Sequence, residues 1–221
     1  NEIFLRILKF SPRNKNALKS LLLVNEKLKN FKKSKEIAQA LEELNIDVSV
    51  EKVYFDTLII LNDPILSYEK RTELLFEIFK ENKIIQRIFA TFLIQSNREF
   101  FFSNIDMFDC EKLIDILWYQ KKEDIDFDKI KNNQFLNELY SAKNYINSVS
   151  TSSDFDLNIL ILINKYQKDI KTNLTFEFIC NSCKHSSPFY EARCPNCHSI
   201  LSLEVKHHLT KAYELSNQSL Q

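Results

Sequence analysis

The sequence predicts a mostly α chain, an array of helical hairpins followed by a small β ribbon. Three observations carry this. From residue 1 to about 170, apolar residues recur at three- and four-residue spacings with short polar breaks between them. Four of the five cysteines then fall as two C-x-x-C pairs separated by ten residues. The segments beside those pairs, "LTFEFIC" (174–180) and "SILSLEV" (199–205), alternate apolar and polar residues as strands do. The expected organisation is a helical-hairpin domain over 1–172, a four-cysteine ribbon over 173–206 and a polar tail over 207–221.

The chain opens on an amphipathic helix, with Ile3, Ile7, Leu8 and Phe10 on one face. The clearest hairpin follows at 15–45. Leu18, Leu21, Leu22 and Leu28 form one stripe, a break falls at Lys29-Asn30, and Phe31, Ile37, Ala38, Leu41 and Leu44 form the next. A second hairpin is expected from a helix near 49–61, a turn at Asn62-Asp63-Pro64 and a partner from Ser67 to about Lys80. A strongly apolar helix then spans 83–96. "REFFFSNIDMF" (98–108) breaks the period, and its Phe100, Phe101 and Phe102 are read as packing residues. Asp109 is the expected N-cap of the next helix, in which Cys110 is a small buried hydrophobe. "FDKIKNNQFLNELYSAKNYI" reads as one further helix, 148–154 as a loop, and Asp154 as the cap of a last helix running to about 169.

The 15–45 hairpin resembles a tetratricopeptide repeat, whose period is about 34 residues and which places small residues where its two helices cross. In that register Ser34 and Ala38 lie at the crossing, and residues 1–11 are the second helix of a repeat whose first helix precedes the chain. A chain beginning at Asn1 rather than methionine suggests the same N-terminal truncation. The first helix of the hairpin then presents Asn16, Lys19, Leu23, Glu26 and Lys27 to a concave face as candidate protein contacts.

Composition narrows the function. With 44% hydrophobic and 27% charged residues the chain has a globular composition. Thirty basic residues balance thirty acidic ones, which offers nothing to attract nucleic acid. Residues 174–205 are slightly acidic, so a nucleic-acid-binding ribbon is disfavoured. There is no apolar run long enough to span a membrane. Glycine is absent altogether. No glycine-rich phosphate loop can form and no H-E-x-x-H pattern appears, which points away from an enzyme. Without glycine, helix ends must use another residue that tolerates a left-handed backbone, and Asn30, Asn45, Asn62, Asn82 and Asn97 stand at such ends.

The cysteines carry the strongest signal. Cys180-x2-Cys183-x10-Cys194-x2-Cys197 supplies two knuckles whose sulfurs converge on one point, the tetrahedral four-thiolate cage of a metal. Disulfides within each pair would close strained loops, and thioredoxin-type redox chemistry needs one pair beside a helix in an α/β setting. Zinc is the expected ion, with iron, and hence rubredoxin-like electron transfer, as the alternative. Four thiolates close the coordination sphere, so His185 and His198 are spare, as are His207 and His208 at the head of the polar tail. Lys184 and His198 stand where a glycine usually follows each pair, so either they take the strained turn themselves or the knuckles differ slightly from the usual form. Thiolates on this scale imply a reducing compartment.

The order of parts resembles the lipopolysaccharide assembly protein B family. The likeness rests on "FICNSCKHSSPFYEARCPNCHSI", with its ten-residue gap, Phe178 two residues before Cys180 and Cys-Pro-x-Cys at 194–197, and on the 7–44 segment. The resemblance implies tetratricopeptide-like hairpins carrying a C-terminal rubredoxin-like metal domain. It also implies cytoplasmic exposure beneath an N-terminal anchor in the bacterial inner membrane. The implied role is a non-enzymatic adaptor that brings a lipid A biosynthetic enzyme to a membrane AAA protease. A general protein-interaction module unrelated to lipopolysaccharide is the alternative.

Overall fold

The computed structural model describes residues 2–167 and 171–211. The chain divides into two compact units, Asn1–Phe89 and Ala90–Gln221.

The first unit is a run of helices in which each packs on the next: α1 (Glu2–Phe10), α2 (Lys15–Lys27), α3 (Phe31–Glu42), α4 (Ser49–Asn62) and α5 (Tyr68–Glu81). A 3-10 turn over Lys83–Ile85 leads into α6 (Gln86–Ser96). Side-chain caps open α2 and α5, whereas α3 and α4 begin without one. Asn14 accepts the amide of Ala17 at 3.0 Å to open α2, and Ser67 accepts that of Lys70 at 3.2 Å to open α5. The expected α2/α3 hairpin forms, with Ser34 and Ala38 fully buried. Apolar side chains from Leu18, Leu21 and Leu22 on α2 and Ile37 and Leu41 on α3 are buried, and Phe55, Leu75 and Phe79 extend the core.

Helix C-termini show how a glycine-free chain turns. At the ends of α2 and α3 the backbone goes left-handed at Lys29 (φ 58°) and Asn45 (φ 57°). In each, the left-handed amide bonds three residues back (Lys29 to Glu26, Asn45 to Glu42), and the next amide five residues back (Asn30 to Asn25, Ile46 to Leu41). This is the Schellman closure. Of the five asparagines expected at such positions only Asn45 is left-handed. Asn30 follows Lys29, Asn62 ends α4, Asn82 has an extended φ, and Asn97 caps the start of a helix instead. Lysine gains nothing from a left-handed backbone that glycine would not gain with less steric cost. Lys29→Gly is therefore expected to stabilise the first unit by about 0.5–1 kcal/mol, read as a raised midpoint in urea denaturation.

The second unit begins within α6, at Ala90, and continues in short pieces: α7 (Arg98–Ser103), 3-10 turns at Ile105–Met107 and Glu111–Leu113, α8 (Ile114–Trp118), a 3-10 turn at Lys122–Asp124 and α9 (Phe127–Ile130). The longer α10 (Gln134–Ala142) and α11 (Phe155–Tyr166) follow. Phe101 and Phe102 are buried, as a packing role requires, and Phe101 lies 5.1 Å from Phe108 between ring centres. Three expectations are corrected. Asp109 does not cap a helix; it pairs with Lys112 at 3.1 Å, while Cys110 is buried just before the 3-10 turn. The single helix expected over 127–146 breaks into α9 and α10, because Asn133 accepts the amide of Leu136 and starts a new helix. The last helix, capped by Asp154 on the amide of Leu157, ends at Tyr166, and residues 168–170 lie outside the described residues.

Helix α10 closes with the same Schellman pattern, Asn144 being left-handed. Its Glu138 is 4% exposed, yet its carboxylate is satisfied by Gln134, the Ser152 hydroxyl and the amide of Ser153. A buried carboxylate without those donors would be costly. The serine-rich loop is thus fastened to the helix that precedes it.

The sheet has three antiparallel strands in the order β2-β1-β3: β1 (Thr172–Cys180), β2 (Ser186–Ser187) and β3 (Leu203–Lys211). β1 and β3 pair along their whole length, from Thr172 opposite Lys211 to Cys180 opposite Leu203. β3 corrects the tail boundary at 207, since His207 and His208 are strand residues; residues 212–221 lie outside the described residues. His207 meets Asp154 at 3.1 Å, and His208 meets Glu177 at 3.0 Å. The ribbon is fastened to the helices of its own unit rather than standing apart, which moves the boundary expected at 172. The Trp118 indole donates to Asn173 at 2.9 Å, and Tyr119 packs edge-on to Phe176.

Candidate metal centre

The β1/β3 ladder delivers Cys180 to the end of the hairpin away from Trp118, where the two knuckles meet. Each knuckle is closed by the backbone. The amide of Lys184 bonds the carbonyl of Cys180 at 2.8 Å, and that of His198 bonds the carbonyl of Cys194 at 3.0 Å. In return the amide of Cys180 bonds the His185 carbonyl, and that of Cys194 the Ser199 carbonyl, both at 2.9 Å. The turn falls on Lys184 (φ 60°) and His198 (φ 62°), the two residues expected to replace glycine. Leu201 is also left-handed (φ 50°), its amide held by the Ala192 carbonyl. No residue type in the sequence announced it.

The four sulfurs lie within 4.8 Å of one another, Cys180 to Cys197 at 3.6 Å and Cys183 to Cys194 at 3.7 Å. A disulfide requires about 2.05 Å, so these are not bonded pairs. Four thiolates about 2.3 Å from a central ion stand about 3.8 Å apart along a tetrahedral edge. The residues therefore fit a tetrahedrally coordinated metal. Cys180 and Cys194 are fully buried against Phe178 and Leu203, with Tyr190 and Val205 packed alongside, while Cys183 is half-buried and Cys197 exposed. One cysteine from each pair anchors the small core, and the other closes the cage on the solvent side.

Donors surround the sulfurs. The Ser202 hydroxyl lies 3.3 Å from the sulfur of Cys180, the Ser199 hydroxyl 3.2 Å from that of Cys197, and the Asn196 amide nitrogen 3.5 Å from that of Cys183. Burial pushes the Cys180 thiol up, but the Ser202 hydroxyl and the amides of Cys183 and Ser182 outweigh it and hold the thiol at about 5. Burial prevails at Cys194, over the amides of Cys197 and Asn196, and pushes it up to about 11. The Ser199 hydroxyl and amide hold Cys197 below the usual thiol value. Cys110, desolvated among acidic neighbours, is pushed up to about 12, which marks it as an inert core thiol.

Neither His185 nor His198 joins the cluster, and both are exposed. No protein-family model matches the chain, and no curated protein shows significant sequence similarity to it. A sphere closed by four thiolates leaves no position for a substrate or a water, which suits structural use of the ion.

The five candidate contact residues all lie on α2. Asn16, Lys19 and Lys27 are exposed, whereas Leu23 and Glu26 are partly buried. Glu26 accepts the Tyr54 hydroxyl of α4 at 3.3 Å, so that carboxylate also has a partner within the chain. Among the described residues no helix is long and apolar enough to cross a membrane.

Proposed function

We propose that the chain is a non-enzymatic scaffold that binds other proteins, with tetratricopeptide-type stacking in its first unit and a zinc ribbon in its second. The observation that carries the reading is the four-cysteine cluster: its sulfurs lie within 4.8 Å of one another, with Cys180 to Cys197 at 3.6 Å and Cys183 to Cys194 at 3.7 Å, and four thiolates around one ion offer no open coordination position. The α2/α3 hairpin, with Ser34 and Ala38 buried in it, supports the repeat. The exposed Asn16, Lys19 and Lys27 on α2 are its candidate contacts.

The resemblance to the lipopolysaccharide assembly protein B family supplies a specific role. The scaffold works on the cytoplasmic face of the bacterial inner membrane and presents a lipid A biosynthetic enzyme to a membrane AAA protease. Affinity capture with the chain, using purified candidates of both classes, tests this. Retention of both, weakened by charge reversal at Lys19 and Lys27, is the expected result. Failure to retain either leaves the metal-stabilised scaffold without its lipopolysaccharide role.

A further inference from the structure

Two serines outside the cage are each used twice. The Ser199 carbonyl receives the amide of Cys194, and its hydroxyl faces the sulfur of Cys197, both in the C-terminal knuckle. The Ser202 carbonyl receives the amide of Asn181 at 2.8 Å, and its hydroxyl faces the sulfur of Cys180, both in the N-terminal knuckle. The two serines also touch, the Ser202 hydroxyl lying 3.2 Å from the Ser199 carbonyl. Each knuckle therefore has one serine that fixes its backbone through a carbonyl and addresses one sulfur through a hydroxyl.

Four thiolates around a divalent ion carry two net negative charges. Hydrogen bonds to charged acceptors are about twice as strong as neutral ones, and groups behind the ligands tune a metal site by orienting them and adjusting their charge. The Ser202 hydroxyl has one proton and two acceptors in reach, a carbonyl and a sulfur. A charged thiolate is the stronger acceptor, so metal loading draws that proton towards Cys180.

We propose that Ser199 and Ser202 are positioning residues of the metal centre, whose hydroxyls donate to the thiolates of Cys197 and Cys180 and set how tightly the ion is held. This inference rests on the four cysteines being a metal cage. The hydroxyls act on one cysteine from each side of the cage, the exposed Cys197 and the buried Cys180, and the Asn196 amide reinforces Cys183.

The test compares substitutions of equal shape in the full chain. Ser202→Thr keeps the hydroxyl and Ser202→Val removes it; Ser199→Thr and Ser199→Val do the same at the other knuckle. Zinc affinity is measured by competition with a chromogenic chelator, and the cobalt(II)-loaded protein reports the sulfur-to-metal charge-transfer band. The valine variants are expected to bind zinc about tenfold more weakly than the threonine variants, with a shifted cobalt band, while the threonine variants stay near wild type. Equal affinity and an unmoved band in each Thr/Val pair would overturn the inference and leave the cage intact. Wild-type protein that takes up neither zinc nor cobalt overturns the cage reading itself, and this inference with it.

Discussion

Stripping metal from the proposed four-cysteine centre is expected to unfold the ribbon and move the emission of Trp118 to the red. Zinc in four-thiolate sites contributes roughly 10–16 kcal/mol to the fold it closes. The ribbon has little else at that end: its core is Phe178, Cys180, Cys194 and Leu203, with three partly buried neighbours. Without the ion, four thiols that repel as thiolates or desolvate as neutral groups replace four metal bonds. Trp118 reports the loss because it is the only tryptophan in the chain, is 6% exposed, and donates its indole proton to Asn173 at the start of β1. Cys194→Ser should reproduce the change without chelator, since it removes a ligand from the buried side of the cage. Unchanged emission and unchanged strand signal after chelation would mean that the hairpin and its helices hold the ribbon by themselves.

Phe79→Ala is expected to destabilise the first unit by about 3–5 kcal/mol. Phe79 is fully buried on α5, with its ring centre 5.4 Å from that of Phe89 and the Lys83 ammonium 3.7 Å above its face. Truncation removes the tilted ring contact, the cation contact and the buried area together, and leaves a cavity that the surrounding helices fill only in part. The cage lies in the other unit, so metal content should remain at one ion per chain. Far-UV circular dichroism through a urea titration measures the first effect and elemental analysis the second. A shift in midpoint worth less than about 1 kcal/mol would show that the site relaxes around the deletion.

The cysteine cage was legible because its chemistry is local: two residues between paired ligands and ten between pairs suffice to bring the sulfurs together. The left-handed turns at Lys184 and His198 followed from the same geometry. The α2/α3 hairpin was legible because each helix is long enough to show its apolar stripe. From 98 to 130 the pieces are three to six residues long, shorter than the window over which a helical period can be seen. What decides them is distant in sequence, as with Trp118 and Asn173. The burial of Glu138 was hidden for a related reason: a carboxylate looks like surface until the serines of a later loop are seen around it. β3 was cut short at 207 because two histidines read as a polar tail, whereas their partners, Asp154 and Glu177, come from elsewhere in the chain.

Cys180, Cys183, Cys194 and Cys197 are proposed to hold one structural metal ion. Elemental analysis of the chain purified under reducing conditions, together with its visible spectrum, tests this most directly. One zinc per chain in a colourless protein, with the four thiols unreactive until a chelator is added, is the predicted result. A folded protein with no bound metal and four freely reactive thiols would contradict the claim. One iron per chain with the strong visible absorption of a ferric thiolate centre would instead contradict the assignment of zinc and of a purely structural role.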